Sequence, residues 1–352
     1  MPKNIIICCD GTGNQFGEEN SNVVKLFSVL QAIPGEQVLY YNPGVGTMSD
    51  PGLRTGIGKK ISILMGLTFG NGFARNIANA YSYLMENYEE GDKIFLFGFS
   101  RGAYTVKVLA GFIRMNGLLY KGCQNLIPYS WELYRTKNFE LCTKFRKNYA
   151  RVVETIHFMG VWDAVSSIGW ITARKTFPYT FNNPSVAVIR HAVSIDERRA
   201  YYDANLFNEG EEVKSDIKQV WFAGVHSDVG GSYPEPESGL AKISLEWMIR
   251  EAEQFGLKIK EDRFKRVVLG EGKSDYVPPD PLGTIHQSLK SGWWILEILP
   301  KNHVLDRWKF RFNLGRRRPI PENPLVHRSV QERVKSGRYK PGNLPEVFRV
   351  EG

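Results

Sequence analysis

The chain has 352 residues, long enough for one large α/β domain with insertions or for two modest domains. Its 42% hydrophobic and 24% charged residues are those of an ordinary folded protein, which excludes a disordered or fibrous chain. The net charge of +9 favours anionic partners, but much of the excess falls on Lys301, Arg307, Lys309, Arg311, Arg316, Arg317 and Arg318, with no nucleic-acid-binding module around it. No nucleic-acid partner is expected.

Met1-Pro2-Lys3-Asn4 runs straight into a strand with no signal-type apolar region, and no apolar run is long enough to span a bilayer. The expectation is synthesis in the cytoplasm, with any export by a non-Sec route. Cys8, Cys9, Cys123 and Cys142 show no CxxC spacing, so neither a metal site nor a redox cofactor is expected.

In chain order, Ile5-Ile6-Ile7-Cys8-Cys9 reads as a buried strand stopping at Asp10-Gly11-Thr12-Gly13-Asn14. A helix follows from Ser21-Asn22 through Leu30, and a second strand from Gln37 to Tyr41. Helical spacing runs from about Gly70 to Tyr88. Lys93-Ile94-Phe95-Leu96-Phe97 is a near-continuous apolar strand of the kind buried on both faces. Further strands are expected at 155–161, 187–195 and 219–223, ending at Asp163, at Asp196, and at His226 with Asp228. Strands alternating with helices predict an α/β fold, a doubly wound, mostly parallel sheet with helices on both faces. Ligands of such sheets bind at the carboxyl ends of the strands, where these polar residues fall. From about Tyr276 the sequence turns proline-rich, then Trp-rich and basic. The expected organisation is a catalytic domain over 1–275 and an aromatic, basic lid or small subdomain over 276–352.

Gly98-Phe99-Ser100-Arg101-Gly102 matches G-x-S-x-G, with an apolar strand before it and a helical sequence after. A nucleophilic serine there needs a sharp, strained turn, and Gly98 and Gly102 free the neighbouring backbone of Cβ clashes. The hydroxyl also needs a base, and the base an orienting acid. His226 lies just past a strand in a glycine-rich loop, with His286 in reserve. Asp163 and Asp196 each end a strand, and spacing alone does not separate them.

Together these segments resemble a large family of α/β-hydrolases that includes the class 1 type VI secretion lipase effectors, which are phospholipases. The resemblance rests on Asp10-Gly11-Thr12-Gly13-Asn14, Gly98 to Tyr104, Gly160-Val161-Trp162-Asp163, His191 to Arg199 and Gly224 to Gly231, in order over roughly residues 4 to 255. It implies Ser100 as nucleophile, His226 as base and Asp163, rather than Asp196, as acid. The loop after the first strand then corresponds to the α/β-hydrolase loop that supplies an oxyanion amide. Gly11 or Thr12 is expected to donate it, with the Arg101 amide as second donor; Asp10 and Asp228 support the site.

The implied function is hydrolysis of carboxyl esters, of phospholipid type, through an acyl-enzyme. Two alternatives are a non-catalytic scaffold that keeps the fold, and a metal-dependent phosphatase using Asp10, Asp163 and Asp228. Residues 292–318 interleave Trp293, Trp294 and Trp308 with basic residues, a composition suited to peripheral membrane contact. A core helix and a half-buried strand are the competing reading of that stretch.

Overall fold

The run Asn4–Cys9 forms strand β1, buried at every position, and Gln37–Asn42 forms β2. Between them α1 (Asn22–Val29) starts at Ser21, whose hydroxyl caps the Val24 amide at 3.3 Å. Then come α2 (Phe69–Asn87), β3 (Lys93–Phe99), α3 (Arg101–Asn116), β4 (Ile156–Trp162), β5 (Val186–Ser194) and β6 (Asp216–Phe222). The short helix α4 (His226–Gly230) and the long α5 (Gly239–Glu253) follow, and the chain closes with β7 (Leu325–His327), α6 (Arg328–Lys335) and β8 (Arg349–Glu351). The computed structural model describes residues 2–11, 14, 16–44, 69–165, 176–209, 214–273, 275–290, 293–298, 301–303 and 306–351.

The eight strands form one sheet in the order β8-β7-β6-β5-β4-β3-β1-β2, and every pairing in it is parallel. Alternation along β1 assigns its faces. Ile5, Ile7 and Cys9 join the cluster with Phe73, Ile77 and Leu84 of α2 and Val106 and Leu109 of α3. Ile6 and Cys8 join the opposite cluster with Val23 and Leu26 of α1 and Leu245, Met248 and Ile249 of α5. Both faces are thus covered, the condition under which strands are apolar throughout. This is the doubly wound α/β-hydrolase-like sheet that the sequence predicts.

The chain adds β2 outside β1, then returns to place β3 on β1's other side, so the winding reverses between β1 and β3. The crevice outside such a reversal is where open α/β sheets bind their ligands. Asp10 follows β1 and Ser100 follows β3 at that point. Asp163, Asp196 and His226 follow β4, β5 and β6 along the same edge.

The segment 276–352 departs from the expectation of an appended lid or subdomain. It supplies β7 and β8 to the central sheet, and Val326, Val330 and Tyr339 form a third cluster with Val193, Ile195 and Trp221. Residue 275 is therefore not a division between sheet and appendage. Strands of three residues carry too little alternation to register in a sequence.

Candidate active site

Ser100 sits between β3 and α3 at φ 58° and ψ −120°, a region that costs a non-glycine residue about 1–3 kcal/mol. Its neighbours explain how the turn is made. A Cβ on Gly98 would come within 2.6 Å of the Gly102 carbonyl oxygen, and one on Gly102 within 2.2 Å of the Cys9 carbonyl oxygen. The chain turns sharply enough that only glycine fits on either side, and α3 is pressed against the end of β1. The Ser100 amide continues the ladder by donating to Trp162 O at 3.0 Å.

The hydroxyl produced by this turn meets His226, whose Nε2 lies 2.8 Å from Ser100 Oγ. His226 Nδ1 lies 2.5 Å from Asp163 Oδ2. The imidazole is wedged between the Phe99 ring, 4.6 Å between centroids, and the edge of Tyr202, at 4.8 Å. Burial lowers its proton affinity below that of an ordinary histidine, against the opposing pull of Asp163, so the ring is neutral at neutral pH. With Nδ1 donating to the carboxylate, Nε2 is left as an acceptor facing the hydroxyl.

Asp163 is fully buried at φ 40°. Burial alone would raise its pKa, but Arg318 and His226 hold the carboxyl well below the usual range. Its Oδ1 accepts from the Ser194 amide at 2.9 Å and from Arg318 Nη1 at 2.6 Å, and its Oδ2 from Arg318 Nη2 at 3.0 Å.

The reserve candidates stand elsewhere. Asp196 accepts from the Gly224 amide at 2.8 Å, from Tyr339 at 2.7 Å and from Arg317 at 3.3 Å, and so ties down the loop that leads to His226. His286 places Nδ1 2.6 Å from Asp228 Oδ1 and Nε2 2.8 Å from Glu237 Oε2. Asp228 also accepts from the Val225 amide at 3.0 Å, fixing the start of α4. That bond turns what the sequence presents as a glycine-rich loop into a helical turn beginning at His226.

Asp10 is held by its own loop, accepting from the Gly11 amide at 2.7 Å, Ser21 Oγ at 2.8 Å and Tyr41 at 2.9 Å. The Gly11 amide is thus turned onto Asp10 rather than toward the serine. Thr12, the other candidate of that loop, lies outside the described residues. Arg101 opens α3, and first-turn amides point out of a helix N-terminus. The three aspartates of the phosphatase alternative do not converge in this geometry. Asp10, Asp163 and Asp228 are each engaged by separate donors, and among the described residues no three His, Cys, Asp or Glu groups come together as metal ligands.

Sequence reading missed several contributors. Arg318 belongs to an Arg316-Arg317-Arg318 run expected to face a membrane, yet it is 6% exposed and forks onto Asp163. Nothing in the run marks one arginine for burial. Glu197 was visible in the motif from His191 to Arg199 but carried no assigned role. Its buried carboxylate, brought down to about 2 against the effect of burial by Arg199, accepts from the His226 amide at 3.2 Å and from Ser288 Oγ at 2.8 Å. Trp293 lies edge-on to Tyr202 at 5.6 Å, with the Arg199 guanidinium 3.5 Å over the Tyr202 ring and 4.9 Å from the Trp293 ring. The side chains of 301–311, including Arg307, Trp308, Lys309 and Phe310, lie outside the described residues.

Comparison with known proteins adds a family. Residues 3–251 match the family described as "T6SS, Phospholipase effector Tle1-like, catalytic domain". The uncharacterized protein YEL023C of Saccharomyces cerevisiae is 25% identical, the match covering 99% of this chain and 81% of that protein. Among solved structures, an uncharacterized protein from Pseudomonas aeruginosa aligns at 15% identity and TM-score 0.44, over 74% of this chain and 47% of its own. The Tle1 effector bound to the VgrG spike of the type 6 secretion system aligns at 20% identity and TM-score 0.36, over 68% and 52%. The chain spans about half the length of these two structures.

Proposed function

This chain belongs to the family of Tle1-like phospholipase effector catalytic domains, and from that premise we propose that it cleaves carboxyl-ester bonds of phospholipids with Ser100 as nucleophile. The observation that carries the reading is the unbroken relay from Ser100 Oγ through His226 to Asp163, at 2.8 Å and 2.5 Å, on a strained turn. Nε2 of His226 takes the hydroxyl proton as Oγ attacks the ester carbonyl, and Asp163 stabilises the imidazolium that forms. The same proton passes to the departing alcohol, leaving an acyl group on Ser100. A water, deprotonated by His226, then releases the acid. The Arg101 amide, at the N-terminus of α3, is one proposed oxyanion donor and the Thr12 amide of the loop after β1 the other, since the Gly11 amide is held by Asp10. The loop adjoins the nucleophile, since a Cβ on Gly11 would lie 3.3 Å from Ser100 Cβ.

Beside the relay the surface turns apolar. Trp294, Ile298, Phe312 and Leu314 are exposed, and Leu314 is tied to the Trp294–Glu297 helix through Glu297 O. Through Trp293 and Tyr202 this patch adjoins His226, and the exposed Arg316 flanks it. Such a surface suits peripheral contact with anionic lipid, from which the substrate would enter. Among the described residues no helix is long and apolar enough to cross a membrane.

The test is a fluorophosphonate probe together with anionic phospholipid vesicles. The wild type is expected to be labelled and to release fatty acid, whereas Ser100→Ala does neither. A non-catalytic scaffold predicts no labelling of the wild type. A Ser100→Ala variant retaining more than about a tenth of the rate removes the serine from its role.

A further inference from the structure

Of the groups around Asp163, Arg318 is the one whose presence the relay does not by itself require. It lies outside the stretch that matches the family, arrives from the far end of the chain, and takes both oxygens of the carboxylate, at 2.6 Å and 3.0 Å. Nη1 also donates to Ser194 Oγ at 2.7 Å and Nη2 to the Tyr202 carbonyl, so the guanidinium is fixed in plane and orientation. The chain carrying it is anchored by Asn343 Nδ2, which donates to Arg318 O and to Ile195 O, each at 3.0 Å.

We propose that Arg318 is a positioning residue of the ester hydrolase, fixing the rotation of Asp163 toward His226 and tempering the carboxylate's hold on the imidazolium. The inference rests on the proposed serine chemistry. Its physical basis is a three-body balance. A buried carboxylate facing only an imidazole draws a proton onto the ring, and a protonated His226 is no base. A guanidinium on the same carboxylate opposes that, so the ring remains neutral at lower pH. The fork also leaves Oδ2 of Asp163 aimed at Nδ1, a geometry that a point charge does not impose.

The other groups facing the pair are accounted for. Asp163 meets the Ser194 amide from β5, and His191 on β5 and Lys107 on α3 lie in the same buried layer. Burial and Lys107 bring His191 down to about 3, so it stays neutral. His226 meets Ser100, the rings of Phe99 and Tyr202, Arg199, and Glu197 through its own amide. Glu197 and Arg199 form a two-pronged pair beside His226, and among the described residues Arg318 is the cation hydrogen-bonded to Asp163.

The experiment compares the pH dependence of kcat/KM on a water-soluble short-chain ester for full-length wild type, Arg318→Gln and Arg318→Lys. With Gln, the acid limb should move up by about one pH unit, because the opposing cation is gone. With Lys, the limb should stay in place while kcat falls about tenfold, because charge is kept and the fork lost. A folded, probe-labelled Arg318→Gln variant with an unmoved acid limb overturns the proposal, whatever its rate. If Arg318→Gln does not fold, Lys decides: a wild-type kcat overturns the proposal, and a lowered kcat with an unmoved limb supports it. Failure of the underlying chemistry is read separately, from a wild type that the fluorophosphonate does not label.

Discussion

Two aspartate–histidine pairs stand near one another at the edge of the sheet, and they have opposite electrostatics. In each, a carboxylate oxygen lies 2.5–2.6 Å from a histidine Nδ1. The second ring nitrogen makes the difference. That of His226 faces a hydroxyl, and the ring is buried at 4% exposure. That of His286 faces the Glu237 carboxylate, so a carboxylate at each nitrogen favours a proton on both. Burial depresses both rings, but two carboxylates outweigh it at His286 and raise that ring, whereas one carboxylate shared with Arg318 does not at His226. An aspartate on a histidine is therefore not a mark of a base. The third partner and the depth decide whether the ring accepts a proton or already holds two.

The sharpest way to break this comparison is to delete each ring. His226→Ala should lower kcat by about 10⁴-fold or more, to the level of Ser100→Ala, because the proposed base and nucleophile would act as a unit. His286→Ala, measured alongside on the same ester, should stay within about tenfold of wild type. Reversed effects would exchange the roles of the two histidines. Next come the carboxylates. Asp163→Asn should cost about 10³-fold or more in kcat by presenting the wrong hydrogen-bonding face to Nδ1. Asp228→Asn, which disturbs the start of α4 and the contact to His286, should cost about tenfold or less. Equal losses would mean that the two pairs belong to one network.

The smallest effect is on stability. His286 binds its proton more tightly folded than unfolded, so the stability it contributes is complete below about pH 6.5 and is lost as pH rises through its higher folded value. The Tm gap between wild type and His286→Gln should thus be widest near pH 5–6 and narrow at higher pH. A gap that widens with pH would mean that His286 is neutral in the folded chain.

The legible parts of this molecule were those written in contiguous residues. Lys93–Phe99 is apolar throughout because both faces of β3 are covered, and Gly98 and Gly102 flank Ser100 because the turn admits nothing larger. His226 was visible from its loop, although its helical turn depends on a carboxylate capping the Val225 amide. Asp163 and Asp196 were indistinguishable by position. Their difference lies in which one His226 reaches, a contact spanning 63 residues of chain, with Arg318 arriving on the same carboxylate from 155 residues away. The role of 276–352 was misread for the same reason, since its strands are short and its bonds to Asp163, Asp196, Glu197 and Asp228 are all long-range.

The edge of the sheet beyond β6 is closed by two strands of only three residues, β7 and β8. Arg349 and Glu351 place opposite charges along the outermost one, and Glu351 reaches back to Lys218 on β6 at 2.7 Å. A short, charged edge gives a foreign strand little to pair with. Removing it would bare the backbone of β6, including the apolar stretch Val220-Trp221-Phe222, to any extended chain nearby. Such a shortened protein would have a sticky flank and would also lose Asn343, the anchor of the chain that carries Arg318. Its insolubility on expression would then reflect an unguarded sheet rather than a failure of the sheet to form.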